Sequence, residues 1–223
     1  MSKSLFSLCA IALISCGCHN DSSSNGTSVS SLTSTFKTPI VSVVPVIDNT
    51  KNDYEWNLSD ELSSAIYANL SKQDRVILNS SSKVRAKSRP ALEKHNPFDR
   101  DLSWVKKSFQ DEEFIVFIEL VEHEEVLNQS RVRPQDPSTC SAELRMAVRV
   151  RVIDLRSAEP RVVLQELIHD AHQIHPQFNN VNFYQVPWKD QSFSISPVGL
   201  AHTKLTKELS SRIEDYILIA VKK

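Results

Sequence analysis

Leu144, Met146, Val148, Val150 and Val152 alternate with Arg145, Ala147, Arg149 and Arg151. Period-two alternation is the signature of a strand, here with one apolar and one basic face, so the chain must build a sheet with a core on one side of this segment. Asp154 to Pro160 has the polarity of a turn, and Val162 to Ile168 returns as an antiparallel partner. Two other segments, Ile40 to Ile47 and Phe114 to Ile118 continuing to Leu120 and Val121, are nearly continuous apolar runs. Such strands are covered on both faces. Pro45 demotes the end of the first, because proline cannot donate to a ladder.

Helices must then supply the covering layers. Leu58, Leu62, Ala65, Ile66, Asn69 and Leu70 are spaced by three and four residues, which predicts a helix starting near Asn57 or Ser59. A second stripe, Leu205, Leu209, Ile213, Tyr216, Ile217 and Ala220, follows the start signal Ser196-Pro197. Arg75 to Leu78 reads as a short strand, and Leu102, Val105 and Phe109 as a lesser helix over 101–110. The basic run Lys83, Arg85, Lys87 and Arg89 reads as a solvated loop. The order β-α-β-(α)-β-β-β-α implies an α/β (α+β) domain, with a mixed sheet of about five strands and two main helices packed on it.

The amino terminus carries an address. Lys3 precedes an apolar stretch from Leu5 to Ile14, too short to span a bilayer core that needs about 20 residues. The stretch closes on Leu13-Ile14-Ser15-Cys16, which resembles the lipobox of bacterial lipoproteins. That resemblance implies a signal peptide over 1–15 and an acylated Cys16, held at a bilayer by two or three chains. Gly17 after the cysteine implies sorting to the outer membrane. Residues 16–38, rich in Ser, Thr, Asn and Asp, bury too little to fold and read as a tether. Its r.m.s. span would be about 25 Å. Residues 39–223 are then a single globular domain.

Composition narrows the function. With 26 basic and 27 acidic residues, the formal charge of −1 gives no general attraction to nucleic acid. Only three glycines occur, which excludes the Gly-rich cradles that hold nucleotide phosphates, and no cofactor is expected. Cys9 leaves with the signal and Cys16 is acylated, so Cys18 and Cys140 make no disulfide framework. They either bridge in an oxidising periplasm or leave Cys140 as a small buried thiol.

Ile40 to Asn49, Leu58-Ser59-Asp60-Glu61-Leu62, Arg75-Val76-Ile77-Leu78, and Val150 to Arg156 followed by Val162-Val163 together resemble a group of envelope domains. These are the lipoprotein activators of penicillin-binding proteins, the amino-terminal domain of the Tol system's propeller protein and the curli-secretion lipoprotein. The group's turn commonly carries glycine, whereas Ser157-Ala158-Glu159-Pro160 stands here. The lipobox and Ser-rich tether also look like uncharacterised chlamydial lipoproteins. The resemblance implies binding roles and no catalytic residues.

Three constellations could carry chemistry. Arg145, Arg149 and Arg151 could present guanidinium groups to an acidic partner, or pair across strands with Glu119 or Glu166. His169, His172 and His175, with Asp170, are of metal-ligating types, but residues three apart on a strand face opposite sides, so they read equally as a polar strand end. His123-Glu124-Glu125 lacks the second histidine of a zinc-protease motif, and Glu112-Glu113 and Glu124-Glu125 read as solvated charge. The expectation is a membrane-anchored accessory protein without catalytic activity that binds another envelope protein. The alternatives are an envelope hydrolase or metal-binding lipoprotein, and a structural or host-facing surface lipoprotein.

Overall fold

The computed structural model describes residues 37–51, 54–128, 140–178 and 181–222. The signal, Cys16, Cys18 and the tether to residue 36 lie outside the described residues. The domain is a mixed α+β structure, as the alternation and helix stripes require. Its strands are β1 (Ile40–Val43), β2 (Ile47–Asp48), β3 (Ile77–Leu78), β4 (Phe114–Leu127), β5 (Ala142–Asp154) and β6 (Arg161–Ile174). They form one six-stranded sheet in the order β3-β1-β4-β5-β6, with β2 also paired to β4. β1 lies parallel to β3 and β4, while β4-β5 and β5-β6 are antiparallel.

The two main helices, α1 (Leu58–Ser71) and α5 (Pro197–Val221), share one face of the sheet. Asn57 caps α1 by accepting the Asp60 amide at 3.0 Å, and Ser196 caps α5 by accepting the Gly199 amide at 3.0 Å. Each cap satisfies an otherwise orphaned donor. Beneath them lie Val116, Ile118, Val148 and Val150, all essentially inaccessible to solvent. Tyr216 departs from the expected stripe: it is exposed, and its hydroxyl donates to Glu166.

The opposite face is covered by α2 (Ser81–Leu92) and α3 (Ser103–Ser108). The basic run read as a loop is therefore helical. Val84, Ser88 and Ala91 give α2 a buried stripe, and its charges are tied down, Arg85 to Asp60 at 2.6 Å and Lys87 to Glu112 at 3.1 Å. Glu112 and Glu113 are likewise not simply solvated. Glu112 is buried and accepts from Ser42 and Asn79, and Glu113 accepts the Ile40 amide at 2.9 Å. Short α4 (Gln191–Ser194) packs on the start of α5. A Cβ at Gly199 would stand 2.0 Å from the Phe193 carbonyl oxygen, so only glycine admits this contact.

Candidate functional site

A chain of buried polar groups links α1, α5 and β4. Glu61, in the first turn of α1, is almost fully buried, and its Oε1 lies 2.7 Å from His202 Nδ1. Its other oxygen accepts the Trp56 indole N–H at 2.9 Å. His202, on the second turn of α5, meets His123 with the two Nε2 atoms 2.9 Å apart. His202 Nδ1–H donates to the carboxylate, and between the two rings one Nε2 carries the shared proton and the other accepts it.

A register shift places His123 in this chain. Leu120 pairs with Val148, but Glu122 pairs with Ala147, so β4 carries one extra residue. Without that bulge Glu122 would face α5; with it, His123 does. Burial first, then the neighbouring His202, brings the pKa of His123 down to about 3, so the ring is neutral.

Aromatic rings enclose the chain. Tyr54 lies 4.8 Å from Tyr184, 4.6 Å from Trp56 and 5.4 Å from His123 between ring centroids, and Phe193 packs edge-on to Trp56 at 5.2 Å. The buried Tyr54 hydroxyl has no hydrogen-bond partner among the described residues. Burial foremost, then the charges of Tyr184, Glu61 and Glu125, raises its pKa well above the usual phenol value. His123 also reaches a cleft of about 550 Å³, where Glu55, Glu124 and Glu125 outnumber Lys51.

The other face holds a second concavity. Cavities of about 710 and 440 Å³ adjoin, sharing Ile47, Leu92 and Glu93. Together they form a trough with Val44 to Asn49 on one wall and α2 with the loop to Phe98 on the other. It exists because α3 is only six residues long, and Pro45 ends β1 where a longer strand would need cover. On its rim Arg85 pairs with Asp60, and Arg89 lies 3.8 Å from Glu93. The walls are mainly Val44, Pro45, Ile47, Ala86 and Leu92.

The arginine row lies on one face of β5 but is largely spent within the domain. Arg151 is buried, and its guanidinium donates to the Pro97, Phe98 and Asp99 carbonyls at 2.7–2.8 Å and to Gln165 at 2.8 Å. Burial, followed by the charge of Arg149, lowers its pKa. Arg149 pairs with Glu119 and stacks 4.1 Å over the Phe98 ring. Arg145 remains at the surface, held by Glu143 at 2.7 Å. The cross-strand alternative thus describes Arg149, and Arg151 is withdrawn from any outer basic face.

The histidines do not converge. β6 is continuous through Ile174, so His169 and His172 face opposite sides, and His175 follows the strand and accepts the Gln177 amide at 3.4 Å. Asp170 is taken by Lys204 at 2.5 Å. Among the described residues no group of three or more His, Cys, Asp or Glu is placed to hold a metal ion. Cys140 is buried.

Sequence reading passed over Glu61, His202 and the role of His123. The signal was present for two of them. Glu61 sits between Leu58 and Leu62, and His202 stands three residues before Leu205, so each puts a titratable group on an apolar stripe that only a partner can stabilise. His123 depended on a bulge that no alternation pattern reveals.

The model of a family of unknown function, DUF7499, matches residues 29–221. The chain belongs to this family. No curated protein matches it. Among solved structures, a hypothetical protein of Chlamydia trachomatis is similar at 22% identity, over 81% of this chain and 98% of that one, with a TM-score of 0.62. This likeness shows a shared fold. A Xanthomonas campestris protein covers 84% of this chain and 90% of its own at 10% identity and a TM-score of 0.48. A minor lipoprotein of Acinetobacter baumannii covers 80% and 92% at 11% identity and a TM-score of 0.39.

Proposed function

We propose that this DUF7499 protein is a lipid-anchored accessory protein of the bacterial cell envelope that uses the α2 trough to bind an apolar segment of another envelope protein. The trough is the observation that carries this reading. It is the larger apolar concavity described above, about 710 Å³ in its α2 part, and the Arg85 and Arg89 charges on its rim are already paired. The occupant that matches such walls presents aliphatic or aromatic side chains.

The lipobox at Leu13 to Cys16 supports the anchor, and the composition of residues 16–38 supports a tether that lets the domain stand clear of an outer membrane on its periplasmic side. Among the described residues no helix is long and apolar enough to cross a membrane. The Glu61–His202–His123 chain has a structural role in this reading, joining the two helices to the sheet through satisfied bonds.

The test has two parts. Mass spectrometry of the mature amino terminus should find an acylated Cys16, and Cys16→Ser should release the protein from membranes. Capture of tagged protein after crosslinking intact envelopes should yield a discrete partner that Leu92→Glu removes while circular dichroism shows the variant still folded. An unmodified amino terminus rejects the anchor, and an unchanged partner profile with Leu92→Glu rejects the trough.

A further inference from the structure

The two edges of the sheet are built differently. At one edge β3 is two residues long and Pro45 interrupts the neighbouring strand, devices that prevent another chain from adding on. At the other edge β6 runs for fourteen residues without proline or lysine, bulged once at Val163, and no strand among the described residues pairs with its outer side.

The backbone groups left open there can be named. The Asn128 amide bonds the Ser141 carbonyl at 2.8 Å, and bonded pairs alternate along an antiparallel ladder, so Glu143 and Arg145 bond to β4 while Leu144, Met146 and Val148 bond to β6. Their partners His172, Asp170 and Ile168 are thereby satisfied. Gln165, Leu167, His169, Ala171 and Gln173 turn their N–H and C=O groups outward. Leu167, at the middle, is also half-exposed at 52%.

Helix α5 flanks this edge. It runs antiparallel to β6, with Lys204 on Asp170 and Arg212 on Glu166. The same stripe carries the exposed Leu200, Tyr216 and Ile219.

We infer that the β6 edge, together with this stripe of α5, is a self-association surface on which a second copy of the chain adds its own β6 antiparallel about a two-fold axis at Leu167. Charge complementarity favours a second copy. The axis sets Leu167 against Leu167 of the other copy, Gln165 against His169, Glu166 against Ile168 and Leu164 against Asp170, so no like charges oppose one another across the junction. The two α5 helices then run antiparallel on the same side of the joined sheet, where the exposed stripe gains cover. About the Leu167 axis the bulge at Val163 limits the regular ladder to Leu164–Asp170, about 24 Å. At about 10 Å wide that ladder covers roughly 240 Å² per copy, so the paired α5 stripes must supply most of the roughly 1,000 Å² that a specific interface needs. This surface is separate from the trough, so a dimer leaves both troughs accessible.

Co-expression of two full-length copies with different epitope tags tests the inference. Capture of one tag from a detergent extract should bring down the other. Leu167→Lys should lower this recovery about tenfold through charge repulsion at the axis, a change of about 1.4 kcal/mol. Leu167→Pro should do the same by deleting an outward N–H that β5 does not use. Ile77→Lys, at the opposite edge where Ile77 is also half-exposed, should leave recovery unchanged. Circular dichroism melts identify any variant that fails to fold, in which case the other position-167 variant decides. Absent co-capture, recovery that survives a folded position-167 variant, or equal loss with Ile77→Lys overturns the inference. Loss of the trough's partner with Leu92→Glu is read separately and does not bear on it.

Discussion

One sheet carries two unlike faces. Under α1 and α5 the helices are long enough to cover the strands, and the polar groups trapped there, Glu61, His202 and His123, bond to one another. Under α2 and the six-residue α3 the apolar cluster is smaller, and the sheet is finished by a loop that Arg151 pins through three carbonyls. A face closed by α1 and α5 must satisfy most of its buried polar groups internally, the Tyr54 hydroxyl being an exception, and has little surface left for recognition. The less covered face leaves apolar walls in water, and recognition is assigned there.

The sharpest way to break this contrast is to hollow the closed face. Ile213→Ala should cost about 2–5 kcal/mol in urea unfolding, because Ile213 is fully buried beneath α5. Leu92→Ala on the trough wall, where the side chain is only partly buried, should cost less than half as much. Equal losses would mean that the trough is core rather than surface.

Orphaning the relay should come next. His202→Ala leaves the Glu61 carboxylate buried without its imidazole, at a cost of about 3 kcal/mol. Arg151→Met should cost less overall, about 1–3 kcal/mol. Its signature should be local, with faster amide exchange over residues 95–100 and unchanged protection in α5.

Acidity separates the faces in a third way. His123 binds a proton at about pH 6.5 when unfolded but only near pH 3 when folded, so the unfolded state takes up the proton first. Stability should therefore be complete above pH 6.5 and fall as pH drops from 6.5 towards 3, by up to about 1.4 kcal/mol per unit. His123→Leu should flatten that part of the profile. The smallest effect is expected at the strand end: His169→Ala should shift stability by no more than about 0.5 kcal/mol.

Much of this architecture was legible because strands and helix stripes carry periodicity. The alternation over 144–152 and the stripe from Leu205 to Ala220 report directly which residues meet the core. α2 was not legible, because its buried stripe is Val84, Ser88 and Ala91, three small or weakly apolar residues among four charges, with Pro90 in the last turn. The same limits hid the sites. The fate of Arg151 depends on a loop fifty residues away in sequence, and the trough depends on how α2 sits beside residues 44–49, which no local pattern encodes.

The central claim is that the less covered face of an envelope-anchored domain grips a partner. Photo-crosslinking residues placed singly at Leu92 and Arg89 in the trough, and at the exposed Ser64 and Ala68 of α1, test it in intact cells. The account predicts one discrete adduct of the same size from both trough positions and none from α1. Adducts from α1 alone, or a trough that stays uncrosslinked while the protein is folded and membrane-bound, would contradict it.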